Sequence, residues 1–98
     1  MTVPYEWMMT VHLFMHTDNY NLDNYNLDEL KAAVAERSER IERVQRQFEE
    51  VLRTRPVTVE WYVEHANDTL GDEETLYRYL QEVYDFVFLD GPWPETEG

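Results

Sequence analysis

Cysteine is absent from this chain of 98 residues, which excludes disulfides, thiolate metal sites and a thiol nucleophile. Glycine is sparse: Gly71, Gly91 and Gly98 are too few and too scattered to form a glycine-rich phosphate loop. Serine occurs once, as Ser38, inside a charged stretch where no base is arranged for it. No apolar run approaches the roughly 20 residues needed to cross a bilayer. No basic segment leads into an apolar run, so no signal peptide is expected. These absences read as a cytoplasmic, soluble chain with no cofactor and no catalytic residues.

Basic residues are scarce in one region above all. Residues 1–27 hold three acids and no base; residues 28–55 hold seven acids and seven bases. Residues 56–98 hold eleven acids against Arg78 alone, which accounts for most of the net charge of −13. Such a field repels nucleic acid and anionic membrane and attracts basic surfaces. Hydrophobic residues make up 43% of the chain and aromatics 14%, enough for a folded core and too much for a disordered acidic tail.

What is present begins with a helical pattern from Asn26 to about Arg55. Leu30, Val34, Ile41, Val44, Phe48 and Val51 follow steps of three and four if Arg37 fills one position. Asn26 can cap the start, with Glu29 three residues on, and Pro56 marks the stop. Glu36, Glu39, Glu42 and Glu49 each precede an arginine by four residues, the favoured order for a helical ion pair. A helix of about 28 residues is roughly 42 Å long, more than the roughly 30 Å breadth of a domain this size. That overhang suggests a homodimer with a seam of Val34, Ile41, Val44 and Phe48. The plainer reading is a well-solvated helix.

Two further stretches alternate at period two, the spacing of strands. From Met1 to His16 the odd positions Tyr5, Trp7, Met9, Val11, Leu13 and Met15 are apolar. From Val57 to His65 the apolar face is Val57, Val59, Trp61 and Val63, with Glu60 and Glu64 opposite. Between the first strand and the helix, residues 17–27 form a polar loop in which Asp-Asn-Tyr-Asn-Leu occurs twice, at 18–22 and 23–27. Tyr20 and Tyr25 in that loop are candidate contact residues, or the loop merely connects. After a turn, Asp72 can cap a second helix with Glu73 and Glu74 in its first turn and Leu76, Leu80, Val83 and Val87 on its buried side. Phe86–Leu89 fits either the last helical turn or a third short strand. Residues 91–98 read as a loose acidic tail, with Trp93 able to dock. The expected architecture is a single α+β domain over residues 1–98: a two- or three-stranded sheet with one long and one shorter helix, in the order β-α-β-α.

Chemistry is thinly signalled. His12 and His16 on one strand face are about 13 Å apart, too far for one ion. His65 could approach either, yet three ordinary histidines explain the pattern as well. A small acid–base or metal-dependent enzyme using His12 or His65 with Glu64 is a distant alternative. The Asp- and Asn-rich repeat lacks the glycine and the twelfth-position glutamate of a calcium-binding EF-hand loop. The acids after Pro56 are the stronger feature. Glu60, Glu64, Asp68, Asp72, Glu73 and Glu74, gathered on one surface, could imitate the phosphate ladder of a nucleic acid. In size and charge the chain resembles, in type only, the small acidic phage proteins that inhibit host defence, some of them against CRISPR systems. The expectation is an acidic, non-enzymatic inhibitor of a basic nucleic-acid-binding protein, with the helix-mediated homodimer as the alternative. The bland competitor is an acidic surface that only keeps the chain dissolved.

Overall fold

The structure, a computed structural model, describes residues 3–12, 27–66 and 71–94. Its elements are α1 (Tyr5–Thr10), α2 (Leu27–Ala35), α3 (Glu39–Thr54), α4 (Val59–Ala66) and α5 (Glu73–Phe88). Among the described residues every element is helical and there is no strand, so the α+β expectation is overturned. The first expected strand is α1 where it is described, and the second is α4. Residues 13–26, with His16, Tyr20 and Tyr25, and residues 67–70, with Asp68, lie outside the described residues.

The reason is legible in the burial of α1. Trp7, Thr10 and Val11 are buried while Tyr5 is 68% exposed. That is a helical stripe, not alternation. Thr10 enters the core because its hydroxyl donates to the Glu6 carbonyl one turn back, at 2.9 Å. The helix start borrows its partners from α3. The Trp7 N–H donates to Gln47 Oε1 at 2.8 Å, Gln47 Nε2 donates to Glu6 Oε1 at 3.2 Å, and Arg43 Nε reaches the same carboxylate at 3.0 Å. Arg43 therefore serves α1, not the expected helical pair with Glu39. Val11 and His12 continue α1 as a wider π turn.

The expected single helix over Asn26–Arg55 is two. At the end of α2, Glu36 and Arg37 donate their N–H groups three residues back, at 3.2 and 3.1 Å, tightening the last turn. Arg37 then takes a left-handed φ of 55°, and Ser38 starts α3 by accepting from the Ile41 N–H at 3.2 Å. Ser38→Ala removes this cap and is expected to lower stability by about 1 kcal/mol, read from urea denaturation. The overhang disappears with the break. The 16 residues of α3 span about 24 Å, within a molecule whose longest extents are 33 Å.

The C-terminal helix stands where the pattern placed it. Asp72 caps α5, and Leu76, Leu80, Val83 and Val87 are buried. Tyr77, Tyr79, Tyr84 and Phe86 are buried too, so α5 is closed on most of its circumference and forms the centre of the molecule. Phe86–Phe88 is its last turn, not a strand. α2 packs on α5, α5 on α3, and α3 on α1. Phe48 of α3 sits at the crossing, edge-on to Trp7, Tyr84 and Phe88 with centroids 5.7, 5.5 and 6.2 Å away. Val34, Val44 and Phe48, three of the four expected seam residues, are thus buried within the chain itself, and Ile41 is half-buried against the same core.

Past α5 the chain folds back. Asp90 adopts φ 57°, and the Leu89 and Gly91 N–H groups both donate to the Asp85 carbonyl, at 3.0 and 2.8 Å. A Cβ on Gly91 would lie 3.1 Å from Asp85, which is why glycine stands there. Lys31 of α2 holds this corner, pairing with Asp90 at 2.8 Å and lying 4.5 Å from the centre of the Phe86 ring. Pro94 is buried and Trp93 meets Phe86 edge-on at 5.1 Å, so residues 91–94 are packed onto α5. No helix among the described residues is long and apolar enough to cross a membrane.

Candidate functional site

Of the acidic residues singled out in the sequence, Glu60 and Glu64 fall on α4, Asp72 caps α5 and Glu73 and Glu74 form its first turn, while Asp68 lies outside the described residues. Thr58 begins α4 by accepting from the Trp61 N–H at 3.0 Å. Tyr62 and Ala66, one turn apart, are buried. Glu60 and Glu64, also one turn apart, are exposed and share one helical face.

On α5 the carboxylates are engaged locally. Asp72 accepts from the Thr75 N–H at 2.9 Å, and that bond holds its carboxyl below the ordinary aspartate range. Glu73 and Glu74 follow, favoured by the helix dipole. Both are reached by Arg55, whose Nη1 lies 3.5 Å from Glu73 and 3.2 Å from Glu74. The Glu74 hydrogen bond makes that guanidinium harder still to deprotonate. Arg55 is anchored by a left-handed φ of 53° and by a cation–π contact 4.8 Å from the centre of the Tyr77 ring. Of the expected ladder, Arg55 partly offsets Glu73 and Glu74, Arg78 lies near enough to Asp72 to help hold its carboxyl down, and Glu60 and Glu64 are exposed on α4. Glu82 and Asp85, half-buried further along α5, line a shallow cleft of about 140 Å³ with Pro92 and Trp93.

A second cluster lies at the ends of α1 and α4. His12 Nε2 and His65 Nδ1 are 3.1 Å apart, with the rings nearly perpendicular at 79°. His65 stacks on Trp61 at 4.2 Å and 25°, and Trp61 in turn lies 5.7 Å from Trp7. The sequence left His65 able to approach His12, as it does here, but placed both on strands, where α1 with its π turn and α4 are helical. Two helices let residues 53 apart in sequence meet at their C-terminal turns. No group of three or more His, Cys, Asp or Glu suited to a metal occurs among the described residues.

Tyr84 is a third polar point, buried between α3 and α5. Its hydroxyl donates to Glu49 and accepts from Gln45 Nε2 at 3.3 Å, and burial pushes its phenol above the ordinary tyrosine range. The phenol stays protonated and ties the two helices, a structural task. A shallow apolar cleft of about 210 Å³ opens where α1, α2 and α3 meet, lined by Thr10, Leu30, Ala33, Ile41 and Val44 among others. No protein family, curated protein or solved structure matches this chain.

Proposed function

We propose that the protein acts by binding and not by catalysis, engaging a basic partner through the acidic outer faces of α4 and α5. The most concrete partner is a cytoplasmic nucleic-acid-binding protein whose basic groove the carboxylates would occupy. One observation carries this reading: Glu60, Glu64, Asp72, Glu73 and Glu74 are all exposed, in a region of the chain with eleven acids and one base. The apolar side of α5 is spent on the core, so its first turn offers charge to a partner, while on α4 Glu60 and Glu64 are exposed together with Val63. Arg55 offsets part of the charge at Glu73 and Glu74, which moves the weight of the surface toward Glu60 and Glu64.

The test uses the full chain immobilised against host lysate and against any basic protein it captures. The doubly reversed Glu60→Lys, Glu64→Lys variant is expected to weaken binding by more than about tenfold, about 1.4 kcal/mol. Wild-type binding is expected to fall steeply between about 0.1 M and about 1 M salt, as the screening length shrinks from about 10 to about 3 Å. Binding that is indifferent to salt, or unchanged in the reversed variant, removes the electrostatic reading.

A further inference from the structure

We propose that the cleft at the C-terminal end of α5, lined by Glu82, Asp85, Pro92 and Trp93, receives an arginine side chain of the basic partner. This inference rests on the binding role proposed above and adds an aromatic contact to it, at the far end of α5 from Asp72. The cleft is a product of the turn that ends the helix. Asp90 takes a left-handed φ and Gly91 comes close to Asp85, so the chain returns along α5 and sets Pro92 and Trp93 beside Glu82 and Asp85. Pro94 is buried and Trp93 meets Phe86 edge-on at 5.1 Å, which holds the indole in place. Trp93 nevertheless remains 45% exposed, whereas Trp7 is buried and Trp61 half-buried. An indole left in solvent beside carboxylates is suited to anchoring a partner, since tryptophan and arginine are enriched among the residues that dominate binding energy.

Size and charge select the occupant. At about 140 Å³ the cleft is well below the roughly 300–1,000 Å³ of small-molecule pockets, and it fits the end of one side chain. Its two carboxylates call for a cation. Asp85 accepts from the Gln81 amide at 3.0 Å, a neutral bond that fixes the carboxylate and leaves its charge in place. The indole adds cation–π attraction, for which tryptophan is the best of the aromatic side chains. The neighbouring corner already holds a cation by the same means. Lys31 lies 2.8 Å from the Asp90 carboxylate and 4.5 Å from the centre of the Phe86 ring, and Phe86 is the ring that Trp93 touches. Arginine suits the cleft better than lysine. Its planar guanidinium can stack on an indole while forking to a carboxylate, and it is more weakly hydrated than an ammonium.

The experiment titrates the full chain with an acetylated oligoarginine and, separately, with an oligolysine of the same length, followed by calorimetry and by the indole N–H resonance of Trp93. The arginine peptide is expected to bind more tightly and to shift that resonance. Trp93→Ala is expected to weaken the arginine peptide by about two- to thirtyfold and the lysine peptide by less, while Trp93→Phe recovers part of the loss. The Glu60→Lys, Glu64→Lys variant is expected to weaken both peptides about equally, because it reverses charge and leaves the indole in place. Melting curves of the variants check that each keeps the fold. Equal affinity for the two peptides, or an arginine affinity unchanged by Trp93→Ala, overturns the cleft and leaves the acidic-face reading standing. A wild-type chain that binds neither peptide overturns both.

Discussion

Replacing Phe48 with alanine will cost about 3–5 kcal/mol of folding stability. The ring is fully buried and lies against Trp7 of α1 and Tyr84 and Phe88 of α5, so its loss opens a cavity where three helices cross. A domain of this size has about 5–15 kcal/mol in all, so the variant stands near the edge of folding. With a urea dependence of about 2 kcal/mol per molar, the midpoint should fall by roughly 2 M with little change in slope. The measurement should be made at two protein concentrations a factor of about one hundred apart. Equal midpoints are expected, because every contact the ring makes is within the chain. A midpoint that climbs with concentration would return Phe48 to a seam between copies and contradict the packing described above.

Phe48 also shows which parts of the fold the sequence discloses. Its place on the buried side of a helix follows from its spacing to Val44 and Val51, and so does the end of that helix before Pro56. α5 is equally legible, because Asp72 gives a cap, Glu73 and Glu74 give a charged first turn, and four aliphatic residues mark the buried side. The break between α2 and α3 had a signal that the heptad reading absorbed. A seam position filled by Arg37 is a gap in the stripe, and the next residue, Ser38, is the best cap in the stretch. α1 and α4 were harder. Val57, Val59 and Val63 have strand propensity, and Trp and Tyr share it, so over eight residues period two and period 3.6 compete. Burial of Tyr62 with Ala66, and of Trp7 with Thr10 and Val11, decides for helix, and neither pair stands out in an alternating apolar run. Thr58 was the usable clue: a hydroxyl three residues before Trp61, just after Pro56, is a helix start.

The candidate surface divides in the same way. That acids crowd the chain after Pro56 is plain from composition. That Arg55 would turn back onto Glu73 and Glu74 is not, because its direction depends on a left-handed residue at the end of α3 and on the Tyr77 ring beneath it. The meeting of His12 and His65 likewise depends on where two helices end. In each case the missing information is tertiary: which turn of which helix faces which.

Tyr77→Phe should cost about 2–4 kcal/mol, out of proportion to the single oxygen removed. The Tyr77 hydroxyl donates to the Val57 carbonyl at 2.8 Å and accepts from the Val57 N–H at 2.9 Å. Val57 is fully buried in the link between α3 and α4. The phenylalanine variant keeps the ring but strands both backbone groups of Val57, each at about 1–3 kcal/mol. Burial pushes the Tyr77 phenol above the ordinary tyrosine range, so the hydroxyl remains a donor at neutral pH. Urea denaturation reads the total, and hydrogen exchange at the Val57 amide reads the site, where protection should drop. A loss under about 0.5 kcal/mol with the amide still protected would mean that water or a shifted backbone replaces the hydroxyl. The residue matters beyond stability. By fixing Val57, Tyr77 sets the direction in which α4 leaves α3, and so where Glu60 and Glu64 stand relative to Asp72. If the acidic faces act as one surface, Tyr77→Phe should weaken partner binding under conditions where the variant remains folded, although Tyr77 itself is buried and carries no charge at neutral pH.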